Sequence, residues 1–244
     1  MQLVALLCWY RENPDWLYDT VRSLQLVEAD HLIAVDGGID LFPEAAPMSA
    51  AEEYAALYDA ALEVGIGLTT VTPPTTWATE MQKRSAAFER AERITTEDDW
   101  YFVIDGDEVV ERASDVKAAL EATDFDAADI SYLDGPATNI LRAWVEGEDG
   151  MDTYTDGRKV CRTRRLYRAI RGLRVTYNHF TYELPDGRQM WGHDPIPGLP
   201  FHNGLQLDHR GYLRDPERAE EARVYYDLRN VAGVEKRITR IARA

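Results

Sequence analysis

One short segment has residue types and spacing that point to chemistry. Trp100-Tyr101-Phe102-Val103-Ile104 is apolar throughout and ends in Asp105-Gly106-Asp107-Glu108. An unbroken apolar run is the pattern of a strand buried on both faces, as the centre of a parallel sheet requires. Side chains alternate along extended backbone, so Asp105 and Asp107 are predicted to project to one side. Gly106 between them lets a ligand approach the main chain. Two carboxylates that close repel each other unless a cation accompanies them. A hard divalent cation with oxygen ligands, Mg²⁺ or Mn²⁺, suits the position, and its remaining sites can carry a diphosphate. Asp-Gly-Asp is also an ordinary turn sequence, and it is the apolar strand before it that favours the chemical reading.

The elements that must position this turn follow from the pattern upstream. Leu3–Cys8 and His31–Val35 read as strands, and a third short strand ends at Val71. Helices are predicted over Asp15–Leu24, opened by Asn13-Pro14, over Ala50–Val64, and from Thr79 to about Ile94. Strand and helix alternating in this order predict a parallel sheet with right-handed crossovers. Ligands of such sheets bind beyond the carboxyl ends of the strands, where Asp36 and Asp105 both fall. Further on, Ala127–Leu133 and Val160–Tyr167 read as strands, Gly147–Gly157 and Gly192–Gly204 as loops, and Asp215 to about Arg229 as a helix. The expectation is one α/β domain over residues 1–244, with residues 1–110 forming one half and 111–244 the other.

The chain has 244 residues, enough to bury a core without disulfide or metal staples. Its 43 acidic and 27 basic residues give a net charge of -16, a field that repels nucleic acid and anionic membrane surfaces. No stretch is long and apolar enough to span a membrane, and the Leu3–Trp9 run lacks the basic flank of a secretion signal. Two cysteines, Cys8 and Cys161, suit a reducing compartment. A soluble cytoplasmic protein is predicted. Against the acidic background, Arg158, Lys159, Arg162, Arg164, Arg165, Arg168, Arg171 and Arg174 place eight cations in seventeen residues with no acid among them. Such a run grips a diphosphate, an anionic acceptor, or an acidic face of its own chain or a neighbour.

The segment Asp99–Glu108 resembles the one that holds the Asp-x-Asp motif in family 2 glycosyltransferases of the GT-A fold. Leu3–Glu12 resembles the first strand of that fold. Ala34–Asp40 is similar to its second strand and acidic turn, without the serine usual there. Gln82–Ala87 resembles the helix start over the nucleotide. Arg165–Arg168, His179–Leu184 and His209–Leu213 resemble, more loosely, the acceptor half of a bacterial and phage subset. The implied fold is a GT-A, Rossmann-like mixed and mainly parallel sheet flanked by helices, with donor binding in the first half and acceptor binding in the second.

The resemblance also implies roles. Asp105 contacts the donor ribose or the metal, and Asp107 binds the metal, with His209 as third ligand and His202 behind it. An imidazole ligand favours Mn²⁺ over Mg²⁺. Asp36 accepts a hydrogen bond from the base, Tyr10 and Glu12 flank it, and Lys83 and Arg84 neutralise phosphate or contact the base. An inverting transfer needs a base on the acceptor hydroxyl, for which Glu183 is the first choice and Asp186 the second. The donor is a nucleoside diphosphate sugar, with a UDP-sugar favoured; the acceptor is a protein, glycan, lipid-linked or small-molecule hydroxyl.

Two other readings stay open. A phosphatase of the haloacid dehalogenase type also places Asp-x-Asp after an apolar strand, with the first aspartate as nucleophile. It expects the motif near the chain start, and a downstream lysine followed by a second acidic pair. Neither Lys117 nor Lys159 is followed by one. The third reading is a non-catalytic module of the same fold that binds a nucleotide or sugar.

Overall fold

The structure is a computed structural model describing residues 1–42, 44–136, 158–176, 182–188, 204–214 and the positions 216–217, 219–221, 223–225 and 227. The Gly147–Gly157 loop, His179, His193, His202 and almost all of the Gly192–Gly204 loop lie outside the described residues.

Strands β1 (Leu3–Cys8), β2 (His31–Val35), β3 (Gly67–Val71) and β4 (Trp100–Asp105) alternate with helices α1 (Pro14–Ser23), α2 (Ala51–Val64) and α3 (Glu80–Ala91), as the sequence predicts. The chain continues through β5 (Glu108–Arg112), α4 (Val116–Glu121), β6 (Ala127–Pro136) and β7 (Arg158–Arg168). Then come β8 (Arg174–Val175), β9 (Tyr182–Glu183) and β10 (Gln206–His209). Eight strands form one mixed sheet in the order β3-β2-β1-β4-β7-β6-β10-β5, and β8 pairs with β9. The first four strands run parallel, β7 is antiparallel to both neighbours, and β5 is antiparallel to β10. This is the expected α/β class, a mainly parallel sheet flanked by helices, consistent with a Rossmann-like GT-A fold.

Alternation along β1 divides the core. Leu3, Ala5 and Leu7 pack with Leu17 and Val21 of α1 and Leu57 of α2, whereas Val4 and Leu6 pack with Ala87, Phe88 and Ala91 of α3. Local signals set the helix ends. Asn13 accepts from Asp15 N at 2.8 Å with Pro14 in the first turn, and Thr79 accepts from Gln82 N at 3.1 Å. Helix α3 stops short of Ile94 because the Thr95 hydroxyl takes the Ala91 carbonyl at 3.0 Å while the next amides tighten to i−3 partners.

The pairing order contains a geometric constraint. Only Gly106 and Asp107 separate β4 from β5, yet β7, β6 and β10 stand between those two strands in the sheet. In a flat sheet four strand spacings amount to about 19 Å. Three peptide steps reach at most about 11 Å. The second half of the sheet therefore curls around the acidic turn, and β7, β6 and β10 come to face it.

Several cations of the basic run meet carboxylates of the chain itself. Among the described residues, Arg164 pairs with Asp129 at 3.2 Å, Arg168 with Asp126 at 3.3 Å and Arg174 with Glu183 at 2.7 Å. Arg168 also donates to the Thr123 and Phe125 carbonyls and lies over the Trp100 ring. An acidic face of its own chain is what these cations meet.

Two stability predictions follow from the core. Phe88 sits edge-on to Tyr101, Tyr167 and Tyr182, tying α3 to β4, β7 and β9. Phe88→Ala should cost about 3–5 kcal/mol in urea unfolding. Asp99 accepts from Gln2 N at 2.6 Å, Thr96 N at 2.8 Å and Thr96 Oγ1 at 3.0 Å. Burial pushes its carboxyl up, but these bonds and the N-terminal charge hold it below its ordinary value. A depressed carboxylate stabilises the fold above about pH 4, and that stability is lost as pH falls through the lower folded-state value. Asp99→Asn should cost about 1–3 kcal/mol at pH 7. The gap from the parent should narrow at acid pH, and a gap of constant size would contradict the assignment.

Candidate functional site

The carboxyl ends of the parallel strands are aligned in one row, with Val71 opposite Val35, Val35 opposite Cys8, and Cys8 opposite Asp105. Beyond this row lies a cavity of about 400 Å³. The end of β1 contributes Trp9, Tyr10 and Glu12 to it, and α3 contributes Lys83 and Arg84. The turn after β4 supplies Asp105 and Asp107. The curl adds Tyr132 from β6, Arg165 from β7, His209 from β10 and Arg214 just beyond it. The structure thus brings Tyr10, Glu12, Lys83, Arg84, Asp105, Asp107 and His209 together. Asp36, Glu183 and Asp186 are not among the lining residues.

The turn is tight for steric reasons. A Cβ on Gly106 would lie 2.9 Å from Glu12 Cγ and 3.0 Å from Trp9 Cβ, so the β1 extension packs directly on the turn. A Cβ on Gly211 would lie 2.5 Å from His209 Nε2 and 2.9 Å from Asp107 Oδ2. Thr20 of α1 holds the Gly106 carbonyl at 3.2 Å, and Arg210 N holds the Asp107 carbonyl at 2.7 Å.

Charges alternate through the site in two chains. In the first, Arg84 joins Glu80 at 3.1 Å to Asp105 at 2.8 Å, and Arg165 joins Asp105 at 3.4 Å to Glu108 in close contact. In the second, Arg214 Nη2 lies 2.9 Å from Glu12 Oε1 and 2.8 Å from Asp107 Oδ2, and His209 Nε2 lies 3.2 Å from the same Asp107 oxygen. The His209 ring stacks on Tyr132, with centroids 5.2 Å apart. Burial pushes the Glu108 carboxyl up to about 7, against the pull of Arg165 and with added push from Asp105 and Asp107. Burial also acts on Asp107, but the His209 hydrogen bond and the Arg214 charge outweigh it and hold Asp107 below the ordinary value. Arg84 and Arg165 lose hydration on burial, and the carboxylates around them nevertheless keep both firmly protonated.

The remaining sequence-selected residues are engaged as follows. Lys83 donates to the Trp9 carbonyl at 2.5 Å and the Gly37 carbonyl at 2.8 Å, so its ammonium ties the ends of β1 and β2 together. The Tyr10 hydroxyl accepts from Ala46 N at 2.7 Å, and its ring meets Phe42 edge-on. Asp36 is fully buried and accepts from Ser49 N, Ser49 Oγ and Tyr54 OH at 2.6–2.7 Å, which fastens the start of α2 to the end of β2. Glu183 pairs with Arg174, and Asp186 is exposed and pairs with Arg188 at 2.6 Å.

The Oδ2–Nε2 separation between Asp107 and His209 is compatible with neighbouring ligands of one ion, because bonds near 2.1 Å at right angles place ligand atoms about 3 Å apart. Among the described residues no three His, Cys, Asp or Glu side chains converge to hold a metal by themselves, so other positions would fall to water or substrate oxygens. The sequence reading gave Tyr132 and Arg214 no role and took Arg165 only as one member of the basic run. Arg165 had a signal in its place among the cations of β7, whereas Arg214 had none.

No protein-family model matches the chain, and no curated protein matches it. Among solved structures it is similar to a mannose-6-phosphate isomerase from Helicobacter pylori, with TM-score 0.39, 9% identity, and 69% of this chain and 71% of that one covered. It is also similar to galactosyltransferase LgtC in complex with donor and acceptor sugar analogs, with TM-score 0.33, 16% identity, and coverage of 68% and 58%. A structure described as a mycobacterial protein gives TM-score 0.39, 14% identity, and coverage of 92% and 71%. The chain therefore spans under two thirds of the LgtC chain.

Proposed function

We propose that the protein is a metal-dependent glycosyltransferase that moves a sugar from a nucleoside diphosphate donor to an acceptor hydroxyl. One observation carries the reading. An Asp-Gly-Asp turn ends β4 in the middle of the sheet and lines a cavity of mixed polar and apolar walls, and an imidazole from a distant strand rests on its second carboxylate. Asp107 and His209 are the residues that would hold the cation, and the imidazole favours Mn²⁺ over Mg²⁺. When bound, such a cation neutralises the charge that grows on the departing nucleoside diphosphate.

The chain's own residues supply the rest. Asp105, clamped by Arg84 and Arg165, fixes both guanidinium groups at the cavity wall, where they attract an anionic donor. Tyr10 offers an aromatic wall and Glu12 an edge contact for the base, with a UDP-sugar favoured. Lys83 acts by holding strand ends together and adds positive potential. Asp36 serves the donor only indirectly, by anchoring α2. We propose Glu183 as the acceptor base and Asp186 second, each of which would meet an acceptor hydroxyl from outside the cavity lining. Glu183→Gln should lower kcat at least a hundredfold if the assignment is right, and a variant with unchanged kcat would remove it.

The primary test is a thermal-shift panel of UDP, GDP, dTDP, CDP and ADP, each with Mn²⁺, Mg²⁺ or EDTA. Ligands that bind the native state raise the melting temperature by mass action. A cation-dependent rise with UDP is expected. Asp107→Ala should abolish it with the fold retained, and Gly211→Ala should weaken it, because the new methyl group displaces the His209–Asp107 pair. No rise with any nucleotide, together with hydrolysis of p-nitrophenyl phosphate, would replace this reading with the phosphatase.

A further inference from the structure

Arg165, which lines the cavity, is held unevenly. Its Nη2 is in close contact with Glu108 Oε1, whereas its Nη1 reaches Asp105 Oδ2 only at 3.4 Å, near the outer limit of a hydrogen bond. Glu108 uses its other oxygen, Oε2, to accept from Asp105 N at 2.9 Å. One carboxylate thus fixes both the backbone that opens the acidic turn and the guanidinium beside it. Both partners are buried, and they come from different strands, Glu108 from β5 and Arg165 from β7. On the other oxygen of Asp105, Arg84 Nη2 lies 2.8 Å from Oδ1, and Glu80 backs that guanidinium at 3.1 Å.

We propose that Glu108 is a positioning residue that holds Arg165 back from Asp105, so that the Nη1 corner serves the diphosphate of the donor. The proposal rests on the function proposed above and adds to it how the donor's charge is met. A planar guanidinium bonded to a carboxylate at one corner keeps its other corner for a second anion. Without the charge of Glu108, Asp105 is the remaining carboxylate that Arg165 contacts, and the guanidinium closes on it with both corners. That movement withdraws Nη1 from the donor. Bulk electrostatics predicts the opposite result, since removing an acid from the cavity wall raises the positive potential that a diphosphate meets. A purely structural role for Glu108 would lower the melting temperature and leave the affinity of the folded protein unchanged. The sign of the affinity change separates the three.

The experiment is calorimetric titration of the full chain with UDP, GDP, dTDP, CDP and ADP, each with Mn²⁺ and with EDTA. Wild type is compared with Glu108→Gln, Arg165→Met and the double variant, and each fold is checked by its circular-dichroism melt. Glutamine keeps an oxygen for Asp105 N and drops the charge. The double variant removes the buried pair as a unit, which a fold tolerates better than the loss of one partner. Glu108→Gln should bind the preferred nucleotide about tenfold more weakly than wild type, the worth of one charge-assisted hydrogen bond. The double variant should bind no more weakly than Arg165→Met, because Glu108 acts through Arg165. Equal or tighter binding by Glu108→Gln overturns the positioning role and leaves the function standing, as does a further loss in the double variant relative to Arg165→Met. Should Glu108→Gln melt below the assay temperature, that second comparison decides alone. Absence of nucleotide binding by wild type, with or without Mn²⁺, overturns both.

Discussion

The link between β4 and β5 is too short for a flat sheet, and most of the site follows from that. Gly106 and Asp107 join two strands that three others separate in the pairing order. The sheet satisfies the link by curling, and the curl delivers Tyr132, Arg165 and His209 to a turn that would otherwise face open solvent. His209 stands opposite Glu108 in the β10–β5 register, so the imidazole's position is fixed by backbone pairing as well as by its own contacts. The chain uses a glycine where the β1 extension presses on the turn, since a Cβ there would collide with Trp9 and Glu12.

Having gathered so many charges, the fold must neutralise them in a medium that hydrates them poorly. Glu108 and Arg165 are 1% and 3% exposed, and neither is stable alone at that depth. Alternation solves the problem: each guanidinium lies between carboxylates, and Asp105 and Asp107 each lie between two basic groups. Arginine suits these positions better than lysine, because its planar fork reaches two partners at once and it stays charged when buried. Breaking a buried pair by removing one partner typically costs about 3–5 kcal/mol. Glu80–Arg84–Asp105–Arg165–Glu108 therefore forms one continuous chain of ion pairs along the cavity wall. For the proposed transfer, a preset electrostatic frame of this kind costs no reorganisation when charge develops on a leaving group.

Strands β1, β2 and β4 were legible because buried parallel strands are continuous apolar runs, and such a run reports its environment residue by residue. Helix starts at Asn13-Pro14 and Thr79 were legible because capping is a contact between near neighbours. The placement of Asp105 and Asp107 at the carboxyl edge followed from those elements alone. β5 was not legible, because its two valines stand between Glu108 and Glu111-Arg112 and make no apolar run, and β8 and β10 were not, since two to four residues carry too little periodicity to stand out.

The sequence by itself therefore determined the α/β class, the central strand and the acidic turn at its end, because each depends on local hydrophobic pattern and turn chemistry. Only the tertiary structure decided which polar residues share the cavity. Asp36 and Asp105 end apolar strands of the same pattern on either side of β1, yet one is sealed by Ser49 and Tyr54 while the other faces Arg84 and Arg165. Arg214 meets Glu12 from 202 positions away. Contacts of that separation are set by strand order and sheet curvature, which depend on how the whole chain closes its core and leave no trace in any single window of sequence.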